Sequence, residues 1–404
     1  MKYLQPHNLA FIILLGALSL VTPFSVDMNL PALPLLARDL GISAIDAAHT
    51  IGIFMLGYGM GPLFCGPMSD HFGRRPLLLF SLCLYVLASI GATFASGFSA
   101  LIGFRLLQGL MAGAVVTMPS AIIRDSFEGK DGAKKQSLLT VMIILGPLLA
   151  PVIGAAILNF GNWRTIYGVL AGFAATLIVA TGLLLPETLR HHHRSPKVTN
   201  LLHRYGAVLK DKVFTITMVC LSLNFAGMFA YISSSPVIFI QERGTDSGLF
   251  SLFFALTASG LMAGSWVNTY LIHKNIAPVV ILRCATSIGF LAATCFFLLA
   301  STGHATVAGI IGSVVVFNLC GGLIFPTATH KGLENLANAA GSGSALLRST
   351  TVLMGGISSV IVPLLGHHDA AWGAATVMIV CATCNVVIIY LTRHVLADKP
   401  DQTG

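Results

Sequence analysis

The sequence predicts an all-α polytopic membrane protein with twelve transmembrane helices arranged as two six-helix bundles, and three observations carry that expectation. Of the 404 residues, 55% are hydrophobic and only 9% charged, with a mean hydropathy of +0.84, whereas a soluble domain carries roughly 25% charged residues. The apolar residues gather in runs of about 20, the length that crosses a bilayer as a helix, and the chain has room for about twelve such runs. The longest polar stretch, Glu187 to Lys212, divides the runs six and six. No segment is long and polar enough for a separate soluble domain.

Taken in order, the runs predict helices near residues 8–30, 45–67, 76–96, 99–123, 137–159, 163–186, 213–237, 248–272, 276–300, 304–329, 340–365 and 370–394. The first resembles a signal peptide in composition, but it is too long and no small-residue cleavage site follows it, so it is read as helix 1. The expected division is an N-terminal bundle over 1–186, a linker over 187–212 and a C-terminal bundle over 213–404. Helix 4 (Gly109-Leu-Met-Ala-Gly113 through Pro119) and helix 10 (Gly321-Gly322-Leu-Ile-Phe-Pro326) share small residues followed by a proline, the trace an internal repeat would leave.

The formal charge of +8 is explained by topology. With a cytoplasmic N-terminus and alternating spans, seventeen Lys and Arg residues fall inside and three, Arg38, Arg164 and Arg243, outside. This bias orients a membrane protein with both termini in the cytoplasm, and no nucleic-acid partner is needed to account for the charge. All eight cysteines sit in apolar stretches. Cys381-x-x-Cys384 has redox-motif spacing but lies in an apolar last helix, so it is read as buried small residues. His191 to His193 lack a cysteine or carboxylate at ligand spacing and are read as part of a solvated basic loop. No metal or cofactor is expected.

Buried charge points to function. Apart from Asp46, at the second position of the 45–67 run, Asp27 is the one acidic side chain within the expected spans. An unpaired carboxylate in hydrocarbon costs several kcal/mol, so it must face a cavity, find a partner or hold a proton. Arg105 and Gln108 place a cation and an amide inside helix 4, which makes Arg105 the natural partner of Asp27. Arg348 is roughly 12 Å into helix 11 at about 1.5 Å per residue, where it is positioned to contact an anionic substrate or pair with Asp27. Arg283, nearer its helix start, is expected to snorkel to the interface.

Between helices 2 and 3 the chain reads Gly66-Pro67-Met68-Ser69-Asp70-His71-Phe72-Gly73-Arg74-Arg75-Pro76. This stretch resembles the G-x-L-x-D-x-x-G-R-[RK] motif of the major facilitator superfamily, with Met68 at the usual leucine position. The resemblance implies that Gly66, Asp70, Gly73, Arg74 and Arg75 form a cytoplasmic latch that makes and breaks during alternating access. Arg105-Leu-Leu-Gln108-Gly109 resembles the superfamily's helix 4 motif and implies a role for Arg105 in proton coupling. Helix 5, with Gly146-Pro147-Leu148-Leu149-Ala150-Pro151-Val152-Ile153-Gly154, resembles the motif of proton-coupled drug antiporters, with Ala150 and Ala155 at two glycine positions. Asp27-Met28-Asn29-Leu30-Pro31-Ala32-Leu33-Pro34 resembles the helix 1 signature of the bicyclomycin and chloramphenicol resistance (Bcr/CflA) branch, with Asn29 where tyrosine is common. Pro186-Glu187-Thr188 also fits.

The resemblance implies a monomeric, proton-coupled exporter of small amphipathic compounds in the bacterial inner membrane. Its two bundles would rock around a midplane cavity lined by Asn29, Met55, Tyr58, Gln108, Asn224, Phe225, Phe229, Tyr231, Phe317, Asn318 and Arg348. The expected partners are a small-molecule substrate, protons and the bilayer. A transporter of an anionic metabolite or siderophore is the alternative, favoured by Arg105, Arg283 and Arg348 against one buried acid. A substrate-free sensor is a further reading, while an intramembrane enzyme is disfavoured by the lack of paired aspartates, H-E-x-x-H or G-x-S-x-G in a plausible context.

Overall fold

A computed structural model describes residues 8–127, 129–189, 201–336, 339–365 and 369–396. Twelve helices are long and apolar enough to span a membrane, and no strand occurs among the described residues. The N-terminal half comprises α1 (Leu9–Asp27), a 3-10 turn (Leu30–Ala32), α2 (Leu33–Leu40), α3 (Ala44–Ala47), α4 (His49–Phe72), α5 (Arg74–Thr93), α6 (Phe98–Ser126), α7 (Gly129–Leu158) and α8 (Trp163–Leu184). After α9 (Leu201–Val208) come α10 (Lys212–Pro236), a π turn (Val237–Gln241), α11 (Ser247–His273), α12 (Pro278–Ser301), α13 (Val307–Leu333), α14 (Ala340–Leu365), α15 (Ala370–Leu391) and the short α16 (Arg393–Leu396). Polar residues in the connections start the helices: Asn8, Asn162, Asp211, Asp246, Thr306 and Asp369 each accept a backbone N–H of the first turn that follows.

Within each half one helix pair comes unusually close, and glycine is the reason. In the N-terminal bundle Gly57 and Gly61 of α4 face the Leu106 and Leu110 carbonyls of α6, while Gly109 and Gly113 of α6 face the Phe54 and Tyr58 carbonyls of α4. A Cβ on Gly61 would come within 2.6 Å of the Leu110 oxygen. The C-terminal bundle repeats the arrangement, with Gly260 and Gly264 of α11 against Val315 and Leu319 of α13, and Gly322 against Leu261. Small residues let backbones meet directly where no water is available to drive association. The weak likeness between helices 4 and 10 therefore marks equivalent helices of two similarly packed halves.

The bundles meet along α4 against α14 and α7 against α11. At the end opposite α9 the seam is sealed by several contacts. Gly52 fits against Val360, the Ser251 hydroxyl donates to the Pro151 carbonyl at 3.1 Å, and α2 and α3 abut the Val237–Gln241 turn.

Three expectations are corrected. Helix 1 ends at Asp27 rather than near residue 30, and the chain turns through Leu30–Ala32 before resuming as α2, because Pro31 and Pro34 each open a new helical segment. The stretch expected as a loop between helices 2 and 3 is mostly helix: α4 runs through Phe72, and Gly73 alone breaks it, at φ +104°. The linker is also not wholly a solvated loop. Residues 190–200, including His191 to His193, lie outside the described residues, but α9 buries Val208 and its Tyr205 hydroxyl donates to the Leu63 carbonyl of α4 at 3.2 Å.

Candidate functional site

Asp27 and Arg105 lie in the N-terminal bundle. Arg105 is fully buried, yet most of its donors are filled. Nε donates to the Thr50 carbonyl at 3.2 Å, and Nη1 donates to the Ser25 carbonyl at 3.1 Å and to Gln108 Oε1 at 2.6 Å. The guanidinium also lies 4.3 Å from the centre of the Phe54 ring and 5.7 Å from that of Tyr167. A buried ion costs several kcal/mol, and carbonyl acceptors with a desolvated cation–π contact worth about 2 kcal/mol offset part of that. Nη2 is the guanidinium nitrogen left without an acceptor.

The network extends through Gln108, whose Nε2 donates to Ser89 Oγ at 2.8 Å. Beside it the Tyr85 and Ser25 hydroxyls share a hydrogen bond of 2.5 Å, and Asn29 Nδ2 donates to the Ser25 carbonyl at 2.9 Å. Two residues past Ser25, Asp27 closes α1 with 5% exposure and makes no hydrogen bond or ion pair with a described residue. The expected Asp27–Arg105 pair is thus not formed in this state. Arg105 instead grips the backbone of the α1 turn that ends in the aspartate.

Helix 5 of the sequence, α7, supports that turn. A Cβ at Gly146 would sit 2.6 Å from Pro23 Cγ, and one at Gly154 would sit 2.9 Å from the Met28 carbonyl carbon. The two glycines therefore seat the stretch of α1 on either side of Asp27 directly on α7.

The remaining residues divide between seam and bundle interior. Tyr58 and Arg348 meet across the seam, with Arg348 Nη2 donating to the Tyr58 hydroxyl at 3.3 Å. Met55 shares the α4 face of Gly52, Leu56 and Gly59, which abuts α14. Phe225 and Phe229 of α10 lie 4.6 Å apart, with Phe325 of α13 edge-on to Phe225 at 5.9 Å. Asn224 points its unpartnered Oδ1 toward Gly321.

Gln108, Tyr231, Phe317 and Asn318 are corrections to the expected cavity wall. Gln108 is fully buried against Arg105, Tyr231 donates to Thr257, Asn318 donates to the Thr257 carbonyl, and Phe317 packs on Gly227, all inside their own bundles. Helix number alone does not tell which face of a helix looks inward. Arg283, expected to snorkel, lies 4.9 Å from the Tyr390 ring.

In the motif between α4 and α5, Arg74 Nε pairs with Asp125 at 3.0 Å and its Nη1 donates to Ser69. Arg75 donates to the Gly182 carbonyl. Glu187 was not assigned a role from sequence, yet it accepts the backbone N–H groups of Arg74 and Arg75, each at 3.1 Å. It thereby caps α5 from the end of α8. Gly73 makes this possible, since a Cβ there would lie 2.6 Å from Glu187 Oε2. Gly66 and Asp70 fall within α4, and the surroundings of their side chains lie outside the described residues.

Two bundles of six spans with pseudo-equivalent packing around a central seam define a secondary transporter fold. The model of the Major Facilitator Superfamily matches residues 15–360. The chain is 31% identical to an uncharacterized MFS-type transporter, YdgK, of Bacillus subtilis, covering 90% of both. It is 30% identical to a bicyclomycin resistance protein homolog of Haemophilus influenzae over 98% of this chain and 99% of that one. Among solved structures, a POT family transporter in complex with a thioalcohol-conjugated peptide superposes with a TM-score of 0.76 at 14% identity, covering 96% of this chain and 97% of that one. This chain belongs to the major facilitator superfamily, and it is a multi-pass membrane transporter.

Proposed function

We propose that the protein is a proton-coupled exporter of small amphipathic compounds that works by alternating access as a monomer in the bacterial inner membrane, with both termini cytoplasmic. The observation that carries this reading is Asp27: a buried carboxyl with no cation partner among the described residues, at the end of a helix turn whose backbone Arg105 holds. The relative named for bicyclomycin resistance supports the drug-like substrate class. Residues 1–186 and 213–404 act as the two rocking bodies, joined by 187–212.

In the cycle, Asp27 receives a proton from the outside and substrate entering from the cytoplasm competes with it. A change of charge at Asp27 acts on the end of the α1 turn whose Ser25 carbonyl Arg105 holds, and through that turn on the grip of Arg105. Gly146 and Gly154 carry the resulting movement of α1 into α7. The latch residues Gly66, Asp70, Gly73, Arg74 and Arg75 hold the cytoplasmic ends of α4 and α5 and part when the bundles rock.

The test uses inside-out vesicles with an imposed proton gradient and a pH-reporting dye. Amphipathic probes in neutral phenicol-like, cationic and carboxylate forms are compared, and those that are carried are expected to dissipate the gradient with wild type and not with Asp27→Asn, while the variant remains folded in the membrane. Proton-driven transport retained by Asp27→Asn would remove Asp27 from its assigned role.

A further inference from the structure

We propose that Arg348 is the receptor for an acidic group on the substrate, so that the compounds carried are amphipathic organic acids with an apolar or aromatic body and one carboxylate. The inference rests on the transport reading above for the seam as the substrate's route. Its content is the chemistry that the seam selects.

The argument starts from the difference between the two deep arginines. Arg105 is fully buried and its donors take three acceptors, all within its own bundle. Arg348, the ninth residue of α14, is half-buried between the bundles, and among the described residues the one acceptor it finds is the neutral Tyr58 hydroxyl at 3.3 Å. No described carboxylate pairs with it, and Asp27 is not bonded to it. A guanidinium presents donors in a planar fork that matches a carboxylate in two parallel bonds, and a membrane interior leaves such a cation poorly compensated until an anion arrives.

The surroundings fit the rest of such a molecule. Two turns along α14 from Arg348, on the same helix face, Gly355 leaves its space to Phe225 and Phe229, and Phe325 closes on Phe225 from α13. Three phenylalanines thus form an apolar wall beside Gly355, whose backbone lies roughly 10 Å along the helix axis from that of Arg348, at about 1.5 Å of rise per residue. Between these two features, one turn from Arg348, Thr351 carries a buried hydroxyl with no partner. A cation, an unfilled hydroxyl and an aromatic wall in sequence along one helix match an acid head, a polar joint and an aromatic body.

The Arg348–Tyr58 bond also gives binding a structural consequence. Tyr58 stacks on Phe54, with ring centres 6.4 Å apart, and Phe54 lies beneath Arg105. A carboxylate that takes over the Arg348 donors releases Tyr58 and unties one link between α4 and α14. Lysine would supply the charge but not the fork.

The experiment measures equilibrium binding to the full-length protein in lipid nanodiscs at pH 7 without a gradient. The probes are three radiolabelled compounds on one scaffold: naphthalene-2-carboxylate, its methyl ester and naphthalen-2-ylmethylammonium. Wild type is expected to prefer the carboxylate by about tenfold or more, the scale of one good charge-assisted pair. In Arg348→Gln the carboxylate-to-ester ratio should fall to near one, and in Arg348→Lys to an intermediate value. If Arg348→Gln does not fold, the lowered ratio in Arg348→Lys carries the test. Equal binding of the three probes by wild type, or a preference that survives in both variants, overturns the proposal. Proton-linked flux of the same probes is scored separately: an Arg348-dependent acid preference without such flux would leave the anion receptor standing and remove the export reading.

Discussion

Replacing Gly109 by alanine tests the α4–α6 contact that positions Arg105. A Cβ at this position would lie 2.9 Å from the Phe54 carbonyl carbon and 3.1 Å from its Cα, and closer still to its oxygen, against roughly 3.5–4.0 Å for an ordinary carbon–carbon contact. Every one of those atoms is backbone, so no side chain can swing aside and the two helices must separate. Overpacking of this kind costs about 1–3 kcal/mol. The displaced segment includes both Thr50, whose carbonyl accepts from Arg105 Nε, and Phe54, the ring beneath the guanidinium. Gly103→Ala on the same helix is the control, because nothing lies within 4 Å of a Cβ there, and alanine should be neutral or stabilise by up to about 1 kcal/mol. Unfolding of the two purified variants by SDS in mixed micelles, followed by circular dichroism, should separate them by about 1–3 kcal/mol, the overpacking cost alone, because the propensity gain is common to both. Gly109→Ala should also weaken substrate-linked proton movement in vesicles. Equal stability of the two variants would refute the close-packing argument.

Two further outcomes are expected. Glu187→Gln keeps the shape of the α5 cap but removes its charge, at a cost of about 1 kcal/mol; hydrogen exchange at the Arg74 and Arg75 amides should quicken, and unchanged exchange would remove Glu187 as the cap. Glu242, just beyond α10 and its π turn, has its pKa raised above the usual glutamate value of 4.5, chiefly by burial and to a smaller extent by Asp369, against the lowering effects of the Ala370 N–H and Arg243. A raised folded-state value means that the native protein holds this proton more tightly than the unfolded chain. Its stabilising contribution is therefore full below pH 4.5 and fades as pH rises through the folded value. Thermal melting of Glu242→Gln should lose that part of the pH dependence above 4.5, and an unchanged profile would count against it.

Much of the architecture was legible because the bilayer imposes length. Each of the twelve expected runs corresponds to a span, and the charges at Asp27, Arg105 and Arg348 were visible as breaks in apolar sequence. What stayed hidden depends on which atoms meet. Arg105 chooses the backbone carbonyls of Ser25 and Thr50, and a carbonyl has no signature in the sequence. Glu187 was noted only as part of a terminal Pro-Glu-Thr, because its partner lies 113 residues earlier. Gln108 and Asn318 looked like cavity residues, since amides inside apolar helices draw attention, yet Gln108 bonds Arg105 and Ser89, and Asn318 donates to the Thr257 carbonyl, each inside its own bundle, with Asn318 Oδ1 left unpartnered. The short π turn after α10 likewise left no trace beyond the preceding Ser233-Ser234-Ser235-Pro236.

The position of α7 has a further consequence. Within about two turns it carries Gly146 and Gly154, which hold the α1 stretch around Asp27, and Pro151, whose carbonyl takes the Ser251 hydroxyl from the opposite half. A proline leaves the carbonyl four residues before it without its usual helical donor, so Pro147 and Pro151 soften the rod at this place. In the proposed cycle one helix is therefore a neighbour both to the charge that changes and to the closure that must yield, with a flexible joint between them. A substitution that stiffens it, such as Pro151→Ala, would leave both sets of contacts in place and still slow the passage of strain from one to the other.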